Sequence, residues 1–140
     1  MVAAQSKMTI FSLETADRLD ILEVLTRAEV AATARDADAY VKLFTDDAVL
    51  DGAQGVHRGR EALRQAVGPI WAGEGSATFH LLLNAVIDRV NTDSNEAIAT
   101  SVLLIVRQGT PPQVLHVSEI TQQLKRVDGY WKIARRSVKA

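Results

Sequence analysis

The second half of the chain is dominated by long segments rich in aliphatic and β-branched residues, and this feature constrains the fold most. Four such segments lie at residues 77–90, 97–108, 113–127 and 130–138, separated by the short sequences NTDSNE, GTPP and VDG. Strand-like segments separated by turn-forming residues are typical of antiparallel hairpins. The pattern therefore predicts a meander of four antiparallel strands.

The first half is predicted to be mainly helical. Between residues 15 and 35, apolar side chains recur at three- and four-residue steps among charged ones, and they are Leu19, Leu22, Leu25, Ala28 and Ala32. This spacing indicates an amphipathic helix. Asp36 then interrupts the pattern and is suited to cap a short second helix over residues 37–44.

A mixed segment connects the two halves. Residues 48–59 contain Gly52 and Gly55 between short apolar stretches, which predicts two brief strands and a tight turn. Helical spacing then resumes at residue 60 and is expected to end at Gly68 and Pro69. The chain thus has three predicted helices and six predicted strands, without βαβ alternation among the long strands. This order predicts one α+β domain over residues 1–140, with the helices on one face of a curved sheet. Residues 1–12 are expected to form a flexible N-terminal segment.

Composition and charge exclude several classes of function. The chain has no cysteine, so disulfides and thiolate chemistry are excluded, and its three histidines show no metal-binding spacing. A net charge of −1 provides no basic field for nucleic acid or anionic lipid. The N-terminus lacks the apolar region of a signal peptide and no apolar run can span a bilayer. We therefore expect a cytoplasmic protein without metal or cofactor that binds neither nucleic acid nor membranes.

Three stretches together resemble the nuclear transport factor 2-like superfamily: ARDADAYVKLFTDDAVLDGAQGVHRGREAL, FHLLLNAVIDRV and LKRVDGYWKIARR. The resemblance extends over essentially the whole chain and is nearest to SnoaL-like polyketide cyclases and related bacterial groups. It implies a cone-shaped, cystatin-like α+β roll, in which about three helices pack in a mostly antiparallel sheet of about six strands. It also implies a pocket and a homodimer paired through the sheet. Relatives include isomerases, dehydratases, cyclases and non-catalytic domains, so the fold alone does not define the activity.

The segment that begins at residue 77 carries the main candidate for chemistry. Strand alternation places His80 and Leu82 on one face, whereas the opposite face, from Phe79 to Ile87, is wholly apolar and is expected to pack against helices or a partner. The resemblance implies that a histidine at position 80 points into the pocket as an acid or base, a role for which imidazole is well suited. The alternative is a histidine packed in the core or in a dimer interface.

The partners that relatives supply to this histidine are replaced in the chain. The corresponding positions hold Glu29 or Thr33 on the first helix, Gly52 on the first strand, and Ile120 and Gln122 on a late strand. None is the expected residue. Asp51 precedes Gly52 and would enter the pocket through a bulge there. His116 lies on a polar-leaning strand face beside the expected pocket.

We therefore predict His80 as the proton carrier, with Asp51 and His116 assisting. The side chains expected to contact the ligand are Tyr40, Trp71, Leu82, Ser118, Ile120, Gln122, Trp131 and Arg135. Arg135 shares a strand face with Trp131 and is expected to bind an anionic group, whereas Arg136 is expected to face solvent.

The predicted function is that of a small-molecule pocket protein for an apolar, oxygen-bearing metabolite resembling a polyketide, steroid or terpenoid. If the protein is an enzyme, its chemistry is cofactor-free isomerisation, dehydration or cyclisation. The alternative is a non-catalytic ligand-binding or dimeric assembly domain of the same fold.

Overall fold

The computed structural model describes residues 13–90 and 94–139. In this part of the chain the helices are α1 (Thr15–Thr33), α2 (Ala37–Val41) and α3 (Arg60–Glu74). The strands are β1 (Phe44–Gly52), β2 (Gly55–Arg58), β3 (Thr78–Arg89), β4 (Glu96–Arg107), β5 (Gln113–Val127) and β6 (Tyr130–Lys139). The flexible segment expected at residues 1–12 lies outside the described residues.

The strands form one mixed sheet with the order β2-β1-β6-β5-β4-β3. Strands β3 to β6 pair antiparallel in sequence order, as the turn residues predicted, and β1 pairs antiparallel with β2. The β1–β6 pair is parallel, so the hairpin of β1 and β2 extends the sheet beyond the last strand. The predicted α+β fold, with three helices packed against six strands, is confirmed.

Helix α1 packs against the sheet with a face that differs in part from the predicted one. Ile21, Leu25 and Ala28 are fully buried, and they follow one another at steps of four and three residues. Leu19 and Leu22, which belong to the predicted apolar stripe, are exposed. Both sets satisfy helical spacing, so the sequence predicts the helix but leaves its rotation undetermined.

Helix α3 runs further than the sequence predicts. The expected end at Gly68 and Pro69 is wrong, because the helix continues through Pro69 to Glu74 and stops before Gly75, whose φ is +80°. Proline removes one backbone hydrogen bond but does not end every helix that contains it. The extra turn carries Trp71 and Glu74, both of which are buried.

Two of the four register shifts among the described strands change which side chains of β3 and β6 face inward. Asn84 has a φ of 56°, and the β3–β4 pairing shifts between Leu83 and Val86. In β6 the register with β5 shifts so that Ile133 pairs with Leu124 but Arg135 pairs with Gln123. One extra residue on β6 therefore reverses the alternation beyond Ile133.

The outer face of the sheet is apolar and exposed. The large hydrophobic side chains on β3 and β5 that are 39 to 61% exposed are Phe79, Leu81, Leu83, Val86, Val114, Val117 and Val127. The predicted apolar face of β3 therefore points away from the helices up to Leu83, whereas Ile87, beyond the irregularity, is buried on the opposite side. No helix in the described part of the chain has the length and hydropathy needed to cross a membrane.

Candidate functional site

A cavity of about 680 Å³ lies between the helices and the inner face of the sheet. Its wall is largely aliphatic, with contributions from Leu50, Val67, Ile70, Leu103, Ile105, Leu115 and Val138. The polar side chains of the wall are Tyr40, Gln54, His57, Glu74, His80, Arg107, His116, Ser118 and Arg136. A concave, mostly apolar site with a few polar groups is typical of small-molecule binding.

His80 stands on this wall and is almost fully buried, with 7% of its surface exposed. Its Nε2 atom lies 2.8 Å from Oε1 of Glu74, and its Nδ1 atom lies 3.7 Å from Oε1 of Glu29. The shorter distance is a hydrogen bond, whereas the longer one is beyond hydrogen-bond distance and is an ion-pair contact when the imidazole is protonated. The backbone N–H of His80 donates to the Thr33 hydroxyl at 2.9 Å, which ties β3 to the end of α1.

Glu29 is held by a second buried charge. Arg136 donates to both oxygens of Glu29, through Nη1 to Oε2 at 2.6 Å and through Nη2 to Oε1 at 3.2 Å. Both side chains are at least 95% buried. The guanidinium also lies 5.9 Å from the centre of the Tyr40 ring. When His80 is protonated, charges alternate along the resulting network Arg136–Glu29–His80–Glu74, which offsets the cost of burying them.

The network perturbs the acidities of its members. Burial alone raises the pKa of Glu29, but the Arg136 guanidinium and His80 outweigh it and lower the value to about 2. Burial lowers the pKa of His80, whereas its contacts with Glu29 and Glu74 raise it, and the net result is a pKa above the usual 6.5. Burial also raises the pKa of Tyr40 to about 12. At neutral pH the network therefore contains a Glu29 carboxylate and a neutral phenol at Tyr40, and the contacts with Glu29 and Glu74 favour the protonated form of His80.

The structure brings together five of the residues predicted from the sequence. His80, His116, Tyr40, Trp71 and Ser118 line the cavity. Tyr40 and Trp71 meet edge to face, with ring centres 5.1 Å apart, and so form one aromatic corner of the wall.

The other predicted contact residues lie outside the cavity wall. Leu82 and Ile120 pack with Leu103 and Ile105 directly behind it. Gln122 is fully buried in the sheet's inner layer, and neither polar atom of its amide has a hydrogen-bond partner within the described chain. Trp131 donates its indole N–H to Asp17 at 3.1 Å, remote from His80.

Asp51 and Arg135 form an ion pair with each other rather than with a ligand. Arg135 Nη2 donates to Asp51 Oδ2 at 2.9 Å, and both side chains are more than one third exposed. The pairing of β1 with β2 is regular through Asp51 and Gly52, so no bulge turns Asp51 into the cavity. Gly52 itself lines the cavity. The extra residue in β6 explains why Arg135 lies outside the cavity, because it reverses the alternation of side chains and directs Arg136 inward instead.

The expectation that Arg136 faces solvent is therefore wrong. The two carboxylates of the site, Glu29 and Glu74, were also not predicted as site residues from the sequence. Glu29 was available on the first helix but did not match the residue expected there. Glu74 lay beyond the predicted end of α3. A signal for Glu74 existed in its spacing, since it falls three and seven residues after Trp71 and Val67, which share the buried face of the helix.

The described residues contain no group of three or more histidine or acidic side chains placed to hold a metal ion. The site is thus built from one cation–carboxylate network beside an aliphatic cavity. Such a network can donate, accept and relay protons.

A family model for the SnoaL-like domain matches residues 13–137. The chain belongs to this SnoaL-like family. A comparison with curated proteins found no significant match.

Solved structures share the SnoaL-like fold over almost the full chain. A protein of unknown function with a cystatin-like fold from Nostoc punctiforme is 26% identical, with 91% of this chain and 92% of that chain covered and a TM-score of 0.82. Aln2 from a Streptomyces species is 14% identical, with 91% and 93% covered and a TM-score of 0.83. A protein from Novosphingobium aromaticivorans provisionally named a scytalone dehydratase is 23% identical, with 88% and 83% covered and a TM-score of 0.72.

Proposed function

We propose that this SnoaL-like protein is a cofactor-free acid–base enzyme that acts on an apolar, oxygen-bearing metabolite of the polyketide, steroid or terpenoid kind. One observation carries the proposal: a hydrogen-bonded histidine and carboxylate, His80 and Glu74, stand side by side on the wall of an otherwise largely aliphatic cavity. Titratable groups are costly to bury, so the presence of this pair on the wall of a ligand-sized cavity favours a chemical role over a packing role.

The pair suits reactions that move a proton next to a carbonyl group. The aliphatic wall binds the hydrocarbon part of the ligand, and the His80–Glu74 pair supplies an acid and a base in a site of low polarity. Isomerisation, dehydration and aldol-type cyclisation all begin with such a proton transfer. His116, which also lines the cavity, is proposed to assist at the ligand's oxygen. The name of the Novosphingobium relative supports a dehydration.

The direct test is deuterium incorporation next to the carbonyl group of 2-tetralone in D₂O, followed by NMR. This bicyclic ketone fits the cavity volume and reports proton abstraction without requiring the natural leaving group. We expect the wild-type protein to accelerate exchange, and His80→Ala to reduce the acceleration by about 100-fold, in the range of one general acid–base group. Asp51→Asn serves as the control outside the cavity. Equal exchange by wild type and His80→Ala would refute the proposal.

A second candidate function rests on a different observation. The exposed apolar outer face of β3 and β5 is what a partner surface requires, and it favours a homodimer paired through the sheet. A dimeric binding or assembly domain without chemistry is therefore the alternative. It predicts that 2-tetralone binds without accelerated exchange.

A further inference from the structure

The His80 ring has a carboxylate on each side. Its Nε2 atom is bonded to Glu74 at 2.8 Å, and its Nδ1 atom faces Glu29 at 3.7 Å. Nε2 is engaged by Glu74, and Nδ1 faces Glu29, which does not line the cavity, so neither ring nitrogen is free to remove a proton from a ligand. The base at this wall is therefore another member of the network.

The two carboxylates of the network differ in what their oxygens contact. Glu29 uses both oxygens on Arg136 and does not line the cavity. Glu74 uses Oε1 on His80, whereas its Oε2 has no hydrogen-bond partner among the described residues. The Glu74 side chain is 93% buried and lines the cavity. A buried carboxylate oxygen without a partner is rare because its desolvation is uncompensated.

The position of Glu74 is fixed by its backbone. It ends α3, where the Arg107 guanidinium donates to its carbonyl oxygen at 3.3 Å and Gly75 turns the chain away with a φ of +80°. The side chain is held independently by His80. A base must be held in place to act efficiently, and Glu74 is held at both ends.

We infer that Oε2 of Glu74 is the atom that meets the polar or reacting hydrogen of the ligand, and that His80 is a positioning residue for it. The inference rests on the proposed function and names the group that touches the ligand. The ligand class follows: an apolar molecule that presents an O–H group, or a C–H group beside a carbonyl, to this carboxylate. Glu29 and Arg136 hold His80 from behind.

The proton transfer balances without a co-reactant. The ligand's C–H bond breaks, its proton moves to Oε2 of Glu74, and its electron pair forms the C=C bond of an enolate while the carbonyl π pair moves to oxygen. In an isomerisation Glu74 returns the proton to a different carbon. In a dehydration Glu74 gives the proton to the departing hydroxyl group, which leaves as water.

The first experiment compares binding of 2-naphthol and its methyl ether, 2-methoxynaphthalene, by calorimetry. The two probes differ in the hydroxyl hydrogen that Oε2 would accept. We expect the wild-type protein to prefer 2-naphthol by about tenfold or more, and Glu74→Gln to reduce this preference to about twofold. Glu61→Gln makes the same chemical change on an exposed side chain of the same helix and should leave the preference intact.

The second experiment measures 2-tetralone exchange in the same variants. Glu74→Gln should lower kcat by about 100-fold with little change in KM, because the base is lost and the cavity wall is kept. His80→Gln retains an N–H donor for Glu74 and should keep more exchange than His80→Ala, as a positioning residue does. If Glu74→Gln does not fold, Glu74→Asp, which keeps the charge but withdraws the oxygens, should lower both the preference and the exchange.

The outcomes separate the two proposals. A naphthol preference that survives Glu74→Gln, or that disappears only in His80 variants, overturns the role of Glu74 even where exchange is observed. A preference that Glu74→Gln removes, without exchange in the wild type, supports Glu74 as the ligand contact and overturns the proposed enzyme. Failure of both probes to bind the wild type overturns the role of Glu74, and absence of 2-tetralone exchange in the same protein overturns the proposed enzyme as well.

Discussion

Replacing Glu29 by glutamine removes the central anion of the buried network. Arg136 then keeps its positive charge but loses its two contacts with a carboxylate, at 2.6 and 3.2 Å, and no other carboxylate of the described residues lies within hydrogen-bond distance. His80 loses one of the two carboxylates that raise its pKa. The substitution preserves the size and shape of the side chain, so the change in stability reports charge rather than packing.

The magnitude follows from the acidity of Glu29. A pKa lowered from 4.5 to about 2 means that folding favours the ionised carboxylate by about 3 kcal/mol, at roughly 1.4 kcal/mol per pKa unit. Removing one partner of a buried ion pair costs about 3 to 5 kcal/mol in general. We therefore expect Glu29→Gln to reduce the free energy of unfolding by about 3 kcal/mol at pH 7.

Urea unfolding followed by circular dichroism measures this loss. Glu23→Gln is the matched control, because Glu23 lies on the same helix and forms an exposed ion pair with Arg27 at 3.7 Å; its loss should cost less than about 0.5 kcal/mol. The Glu29 carboxylate contributes fully above pH 4.5, and this contribution is lost as pH falls towards 2. The difference between wild type and Glu29→Gln should therefore shrink over that range.

A double-mutant cycle with Arg136→Gln completes the test. Once Arg136 is neutral, the additional loss on replacing Glu29 should be smaller by about 2 kcal/mol or more, because no buried cation is left without a counter-charge. A loss below about 1 kcal/mol for Glu29→Gln, or strictly additive effects of the two substitutions, would contradict the description of a buried, coupled ion pair.

Three further predictions concern other parts of the molecule. NMR titration should give His80 a pKa above 6.5, and Glu74→Gln should lower that pKa. The contribution of protonated His80 to the free energy of unfolding should be complete below pH 6.5 and should decline as pH rises through the raised pKa. A pKa of His80 below 6.5 would contradict the network. If the protein is a homodimer paired through its sheet, Leu81→Glu should yield monomers in analytical ultracentrifugation. Leu19→Glu, on the helical side, is the control and should leave the dimer intact. A dimer that survives Leu81→Glu argues against an interface on the outer face of β3. Asp51→Asn should lower the free energy of unfolding in urea by less than about 1 kcal/mol, because the ion pair of Asp51 with Arg135 is partly exposed. The same substitution should leave 2-tetralone exchange unchanged. A loss of exchange would show that Asp51 belongs to the site.

The arrangement of strands and helices could be predicted because its signals are local. Turn residues delimit strands β3 to β6. Helical spacing and the Asp36 cap delimit α1 and α2, and the structure shows the Asp36 side chain accepting a hydrogen bond from the Ala39 N–H at 3.0 Å. Strand alternation placed His80 and Leu82 on one face of β3, and the resemblance to the superfamily implied that this face lines the pocket. Local pattern and resemblance together therefore located one half of the candidate acid–base pair.

The rest of the site depends on features that leave little trace in sequence. The extra residue in β6 exchanges Arg135 and Arg136 between faces, and a bulge is a response of the strand to its neighbours in the sheet. The continuation of α3 past Pro69 depends on tertiary packing of Trp71, which outweighs the local cost of proline. Both features move charged groups into the cavity wall, so the prediction failed where the site is assembled.

The most direct test of the central claim is a crystal structure of the protein with 2-naphthol bound. We predict the naphthalene ring against the aliphatic wall between α3 and β4, with its hydroxyl group within hydrogen-bond distance of Oε2 of Glu74 and with the bond from Glu74 to His80 intact. A ligand whose hydroxyl group instead bonds to His80, with Glu74 turned away, or a cavity that remains empty at saturating ligand, would contradict it.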